Sequence, residues 1–217
     1  MLQDRLQEKY GYFRFKHHYI LNVLDSEILY ELFSAIGEHR QITFTTRRRR
    51  ITALPLKVYI GTQTGRQYLL AWSPASERFS FYRIDLIDNV KAGDAAKFPA
   101  DIKCRTDEFC AHTWGVAGNN DTHLEHIEMT VLVGPGEDYI VERLTREKRC
   151  GTVEQIDDTH WKFSADVYDT IEMMPWLRTF IGRVTDLQCT DQRVIDRFWK
   201  DHDAMLKMYG GDHNAVS

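Results

Sequence analysis

"ITFTTRRRRITALPLKVYIGTQTGRQYLLAWSPASERFSFYRIDLI", residues 42–87, decides how the first half of this chain folds. Its apolar residues recur with a period of two in short runs. "QITFTT" (41–46) sets Ile42 and Phe44 on one side, and "LKVYIG" (56–61), "RQYLLAW" (66–72) and "RFSFYRI" (78–84) follow. The turns "TQTG" and "SPASE" separate the later runs. Alternation bounded by Gly and Pro turns is the signal of short antiparallel strands. Several such strands in so short a span predict a small antiparallel barrel or curled sheet.

Inside this stretch lie four consecutive arginines, Arg47, Arg48, Arg49 and Arg50. The 217-residue chain is acidic overall, with 28 Lys and Arg against 32 Asp and Glu. That balance argues against DNA binding through bulk charge. The charge is uneven, however. Residues 1–122 carry 17 basic and 14 acidic side chains, and residues 123–217 carry 11 and 18. No acidic residue occurs between Glu38 and Glu77, a stretch that also holds Arg40, Lys57 and Arg66. A basic module is thus followed by an acidic one, and such asymmetry points to a partner.

If the strand runs on through the arginines, Arg47 and Arg49 share one face and Arg48 and Arg50 the other. Neither pair belongs in a packed barrel interior, so at least one lines a rim or cleft. Guanidinium groups suit bidentate recognition of phosphate. An exposed loop kept soluble by its charge is the competing reading, and the arginines alone do not separate the two.

Upstream, "DSEILYELFSAIGEH" reads as a helix, capped by Asp25 or Ser26, with Ile28, Leu29, Leu32, Phe33 and Ile36 at helical spacing and Gly37 as its stop. Downstream, "GVAGNNDT" reads as a linker. Beyond it, "HIEMTVLV" is a strand, "GPGEDYIVERLTRE" turns into a helix, and "GTVEQI" with "HWKFSADV" forms a hairpin. "TIEMMPWLRTFIG" is helical with a kink or late start at Pro175, and "RVTDLQC" is a strand. A long final helix, capped by Asp191, carries Val194, Ile195, Phe198, Met205 and Leu206 as its apolar stripe. The order β-α-β-β-α-β-α is a split β-α-β arrangement of the ferredoxin-like kind. The expected organisation is an α+β chain: a helical lead-in (1–40), a small barrel (41–92), a linker (93–122) and an α/β module (123–217).

Motifs for catalysis are missing: there is no G-x-S-x-G, no Walker A loop and no H-E-x-x-H. In "GPGEDY", Pro135 removes an amide that a phosphate cradle would use. Cys110 with His112 and His123 with His126 are isolated pairs, whereas zinc needs three or four ligands held together. No enzyme, cofactor or metal site is expected. Cys104, Cys110, Cys150 and Cys189 form no C-x-x-C pair, no signal peptide opens the chain, and no apolar run is long enough to span a bilayer. A cytoplasmic protein with reduced thiols and no membrane contact is expected.

The quoted stretch resembles the WYL domain family. The resemblance is carried by Pro55-Leu56, by the triplet Gln67-Tyr68-Leu69 and by the closing Tyr82-Arg83-Ile84-Asp85. The second module is similar to the C-terminal extension, called WCX, that follows many such domains. Two departures stand out: Gln67 occupies the place of the namesake tryptophan, and Leu86 stands where arginine is common. The extension also lacks a Trp-His-Pro pattern.

The resemblance implies an SH3-like or Sm-like barrel that serves as the ligand-sensing module of a bacterial transcription regulator. The implied ligand is a nucleotide or single-stranded nucleic acid. It would be held by Arg83 and part of Arg47–Arg50, with Tyr68 for stacking, since base stacking beside a basic track is what single strands require. The chain is expected to form a homodimer through its acidic second module. It reaches DNA only through a helix-turn-helix domain, which the residues before the first helix are too few to contain. The alternatives are direct single-strand binding without a switching role, or an enzyme acting on nucleotides.

Overall fold

One long strand organises the first sheet. In the computed structural model, which describes residues 26–47, 49–61, 65–116 and 123–209, strand β2 (Arg49–Ile60) pairs with two different neighbours along its length. Its first part, Arg49–Ala53, pairs antiparallel with β1 (Arg40–Thr46). Its second part, Leu54–Ile60, pairs with β3 (Gln67–Ser73). The ladder slips between Pro55 and Lys57. Proline donates no amide hydrogen, so within a paired strand it is accommodated at such a bulge, where the strand bends and its twist increases.

β3 continues into β4 (Arg78–Arg83), and a 3-10 turn (Ile84–Leu86) leads to β5 (Ile87–Ala95). β5 returns to pair with β1, which gives the order β4-β3-β2-β1-β5. Helix α1 (Ser26–Gly37) packs its Leu32 and Ala35 against this sheet. The core beneath them is built from Ile42, Phe44, Ala53, Leu69, Ala71, Ile84 and Ile87. Phe33, which lies on the helical stripe in sequence, is instead 56% exposed.

The barrel expectation needs correction. Among the described residues no ladder joins β4 to β5, so the five strands form an open sheet. The sheet is nevertheless strongly rolled: Phe44 on β1 and Tyr82 on β4 place their ring centroids 5.0 Å apart. In a flat sheet those strands would lie roughly 14 Å apart, three spacings of about 4.8 Å. The bulge in β2 supplies the bend, and the 3-10 turn takes the place of a closing ladder.

The chain divides into two compact units, residues 1–104 and 105–217, with the division inside helix α2 (Ile102–Ala111). In the second unit, β6 (Glu125–Leu132), α3 (Asp138–Glu147), β7 (Thr152–Gln155), β8 (His160–Val167), the short α4 (Met174–Leu177), β9 (Val184–Cys189) and α5 (Gln192–Tyr209) follow one another. The sheet order is β7-β8-β6-β9 and every pairing is antiparallel. This is the split β-α-β order read from the sequence. Pro175 stands in the first turn of α4, where its missing amide costs nothing. Asp191 caps α5 by accepting the amide of Arg193. Ile127, Met129, Val131, Phe163, Trp176, Leu177, Phe180, Val194 and Phe198 fill the core. No helix among the described residues is long and apolar enough to cross a membrane.

Candidate functional site

The arginine run turns out to be a hairpin tip. Thr46 pairs with Arg49 and Thr45 with Arg50, so β1 and β2 meet at a tight connection that includes Arg47. Arg47 has φ of 46°, the left-handed region that two-residue hairpin turns require. The strand therefore does not run on through the arginines as the sequence suggested, and no alternation of faces applies to Arg47. Arg48 lies outside the described residues. Arg47, Arg49 and Arg50 are exposed, and among the described residues none of the three takes part in an ion pair.

Tyr68 and Arg83 are direct partners across β3 and β4. Tyr59 is the partner of Tyr68 across β2, so the three side chains stand side by side on one face. That face is opposite the one that carries Leu69 and Ala71; it is half-buried at Tyr68 and buried further along β3, where Leu70 is 0% and Trp72 3% exposed. Along β4 it continues as the row Phe79, Phe81 and Arg83, and along β3 as Tyr68, Leu70 and Trp72. Tyr59 meets Phe81 edge to face with centroids 5.5 Å apart, and Trp72 lies 4.8 Å from Phe79. The arginine at the end of an aromatic row is thus held at a defined place, not trailing into solvent.

What holds it is Asp85, in the 3-10 turn. Arg83 Nε donates to Asp85 Oδ1 at 3.1 Å and Nη2 to Oδ2 at 2.6 Å, a two-point fork. The hydrogen bond raises the Arg83 pKa further and holds the Asp85 carboxyl below the usual carboxylate range, with Arg66 adding its charge against Asp85. Arg66 and Asp85 were not among the expected site residues. Asp85 was legible two positions after Arg83 in the closing motif, but Arg66 required the fold.

The two basic groups come to the same end of the rolled sheet. Ile87, which begins β5, pairs with Thr46 beside the arginine turn. The 3-10 turn between Arg83 and Ile87 rises about 2 Å per residue, so the backbone at Arg83 lies within roughly 15 Å of Thr46. An extended anion could span that gap.

Gln67 points to the opposite face from Tyr68, and its Oε1 is buried with no hydrogen-bond partner among the described residues.

No protein-family model and no curated protein sequence matches the chain. Among solved structures it is similar to the proteasome accessory factor B/C (PafBC) of Arthrobacter aurescens, at 14% identity and a TM-score of 0.40. The alignment covers 85% of this chain and 27% of that one.

Proposed function

We propose that this chain is a regulatory module that binds a nucleotide or single-stranded nucleic acid through its first unit. The carrying observation is the pairing of an exposed, acid-free arginine turn with an Arg83–Tyr68 pair at the same end of the sheet. Phosphate-bearing chains are recognised by guanidinium groups, and their bases by aromatic rings. Tyr59 and Tyr68 offer adjacent rings, with the guanidinium of Arg83 beside Tyr68 in the same row. The resemblance of residues 42–87 to the WYL domain family supports a sensing role in transcription regulation. Self-association through the acidic second unit belongs to the same proposal.

Titration of a short fluorescein-labelled oligothymidine, followed by anisotropy across a salt series, tests the reading. Binding that weakens steeply with salt is expected, because each phosphate neutralised on a single strand contributes roughly 0.7 to the slope of log affinity against log salt. No binding, or a flat salt dependence, overturns it. Native mass spectrometry of the purified protein reports retained nucleotide and subunit number together.

A further inference from the structure

A guanidinium carries five N–H donors in a rigid plane. Arg83 spends two of them, on Nε and Nη2, on the carboxylate of Asp85. The edge that remains comprises both hydrogens of Nη1 and the second of Nη2. Its geometry matches two oxygens of a phosphate. Among the described residues nothing else engages it. The Arg83 side chain is 33% exposed and that of Asp85 only 18%, so the pair is turned with its guanidinium outward.

Asp85 is itself firmly placed. It sits in the 3-10 turn between Ile84 and Ile87, both of them buried core residues of the first unit. A ligand phosphate could meet Arg83 in either of two ways. It could displace Asp85, which would strand a carboxylate that has little access to water, a costly exchange. Or it could take the free edge, which breaks nothing. The second route uses the fork as a support, and an arginine held by a second side chain offers a fixed pair of donors.

We propose that Asp85 is a positioning residue: it fixes Arg83 so that the Nη1–Nη2 edge faces a phosphate whose attached ring lies on Tyr68. This rests on the reading that this end of the sheet is the anion site. It adds that a carboxylate, on its face a repulsive element for an anionic ligand, strengthens binding.

The test uses the whole chain and the labelled oligothymidine. Asp85→Asn is expected to weaken binding about tenfold, the loss of a charge-assisted hydrogen bond's orientation. Asp85→Glu, which restores the charge one methylene further out, should fall between Asp85→Asn and the wild type. Arg83→Ala should lose about as much or more, and adding Asp85→Asn to it should cost nothing further, because the two act as one unit. Wild-type affinity in Asp85→Asn, or tighter binding, overturns the positioning role while Arg83→Ala remains weak and the anion site stands. Wild-type affinity in Arg83→Ala overturns the site itself, and the positioning role with it. Melting temperatures of all variants identify any loss of fold. Should Asp85→Asn fail to fold, Asp85→Glu carries the test: a severalfold loss at an unchanged melting temperature is expected, and wild-type affinity overturns the proposal.

Discussion

Phe44 and Tyr82 touch across a sheet in which two whole strands lie between them. Their rings meet edge to face, at 5.0 Å and 78°, although β2 and β3 separate their strands in the hydrogen-bonding order. The contact is what an open sheet needs to hold its roll without a closing ladder. Phe44 is 1% exposed and belongs to the core of the first unit.

Phe44→Ala should therefore cost about 3–5 kcal/mol, the range for truncating a buried phenylalanine. Tyr82→Phe, which keeps the ring and its edge-to-face packing, should cost less than about 1.5 kcal/mol. Because the chain has two units, a single melting curve would blend their transitions. Hydrogen exchange of peptides from residues 40–95 isolates the first unit. Full protection of those peptides in Phe44→Ala would mean that the roll is held elsewhere.

The arginine turn separates charge from stability. Arg49 and Arg50 are exposed strand-end residues facing Thr46 and Thr45. Replacing both with glutamine should change stability by no more than about 0.5 kcal/mol. The same change should lower the salt slope of oligothymidine binding by about 1.4, two phosphates at roughly 0.7 each. Arg47→Asn removes a third charge while keeping a residue that tolerates the positive φ at that position. An unchanged slope in the double variant would remove the turn from the site.

What could be read from residues, and what could not, follows from which signals are local. β1, β3, β4 and the second half of β2 were legible because Phe44, Tyr82 and their neighbours alternate against polar partners, whereas the first half of β2, residues 49–55, was not read as the same strand. The whole element order of the second unit was legible too, because Asp191 and Pro175 mark helix starts chemically. β5 was not. In "IDNVKAGDA" only Ile87 is buried, so its strand character comes from pairing with β1 and leaves no alternation to see. The hairpin at Arg47 was hidden because its left-handed φ is usually taken by Asn or Gly. Pro55 reads as a residue unfit for a central strand, and its bulge is visible only in the register. Of the site, Tyr68 and Arg83 came from the motif. Their adjacency, and the fork to Asp85, depended on register and on the 3-10 turn.

In the second unit, His126 gives a pH dependence with a definite sign. Its Nδ1 lies 2.8 Å from Asp166 Oδ1 and its Nε2 3.5 Å from Glu128 Oε1. The hydrogen bond to Asp166, aided by the charges of Asp166 and Glu128, outweighs desolvation and raises the pKa above the usual 6.5. A folded value above the unfolded one means that the stabilisation is fully present below the unfolded pKa. It is lost as pH rises through the folded value. Wild type should therefore exceed His126→Gln in stability by more at about pH 5.5 than at about pH 8.5. The ring is half exposed, so added salt should shrink the difference. Urea midpoints at the two pH values measure it, and a pH-independent difference would show that the ring carries no charge in the fold.

Two glycines with the same backbone angle should respond to a methyl group to different extents. Gly136 and Gly151 both have φ of 78°, where an L-residue is strained. Around Gly136 an added Cβ would meet nothing within 4 Å. At Gly151 it would lie 2.3 Å from the carbonyl oxygen of Ser164, 2.8 Å from Ala165 Cβ and 3.1 Å from the Phe163 ring. Gly151 precedes β7, whose first residue, Thr152, pairs with Ser164, so the close approach is what lets the short edge strand join β8. Gly136→Ala should thus cost only the conformational strain, about 1–2 kcal/mol. Gly151→Ala should cost that and the overpacking of a strand against a strand, about 1–3 kcal/mol more, because backbone cannot step aside as a side chain can. Hydrogen exchange at residues 152–167 should rise in Gly151→Ala and stay near wild type in Gly136→Ala. Equal exchange in the two variants would mean that β7 does not need the close approach at Gly151.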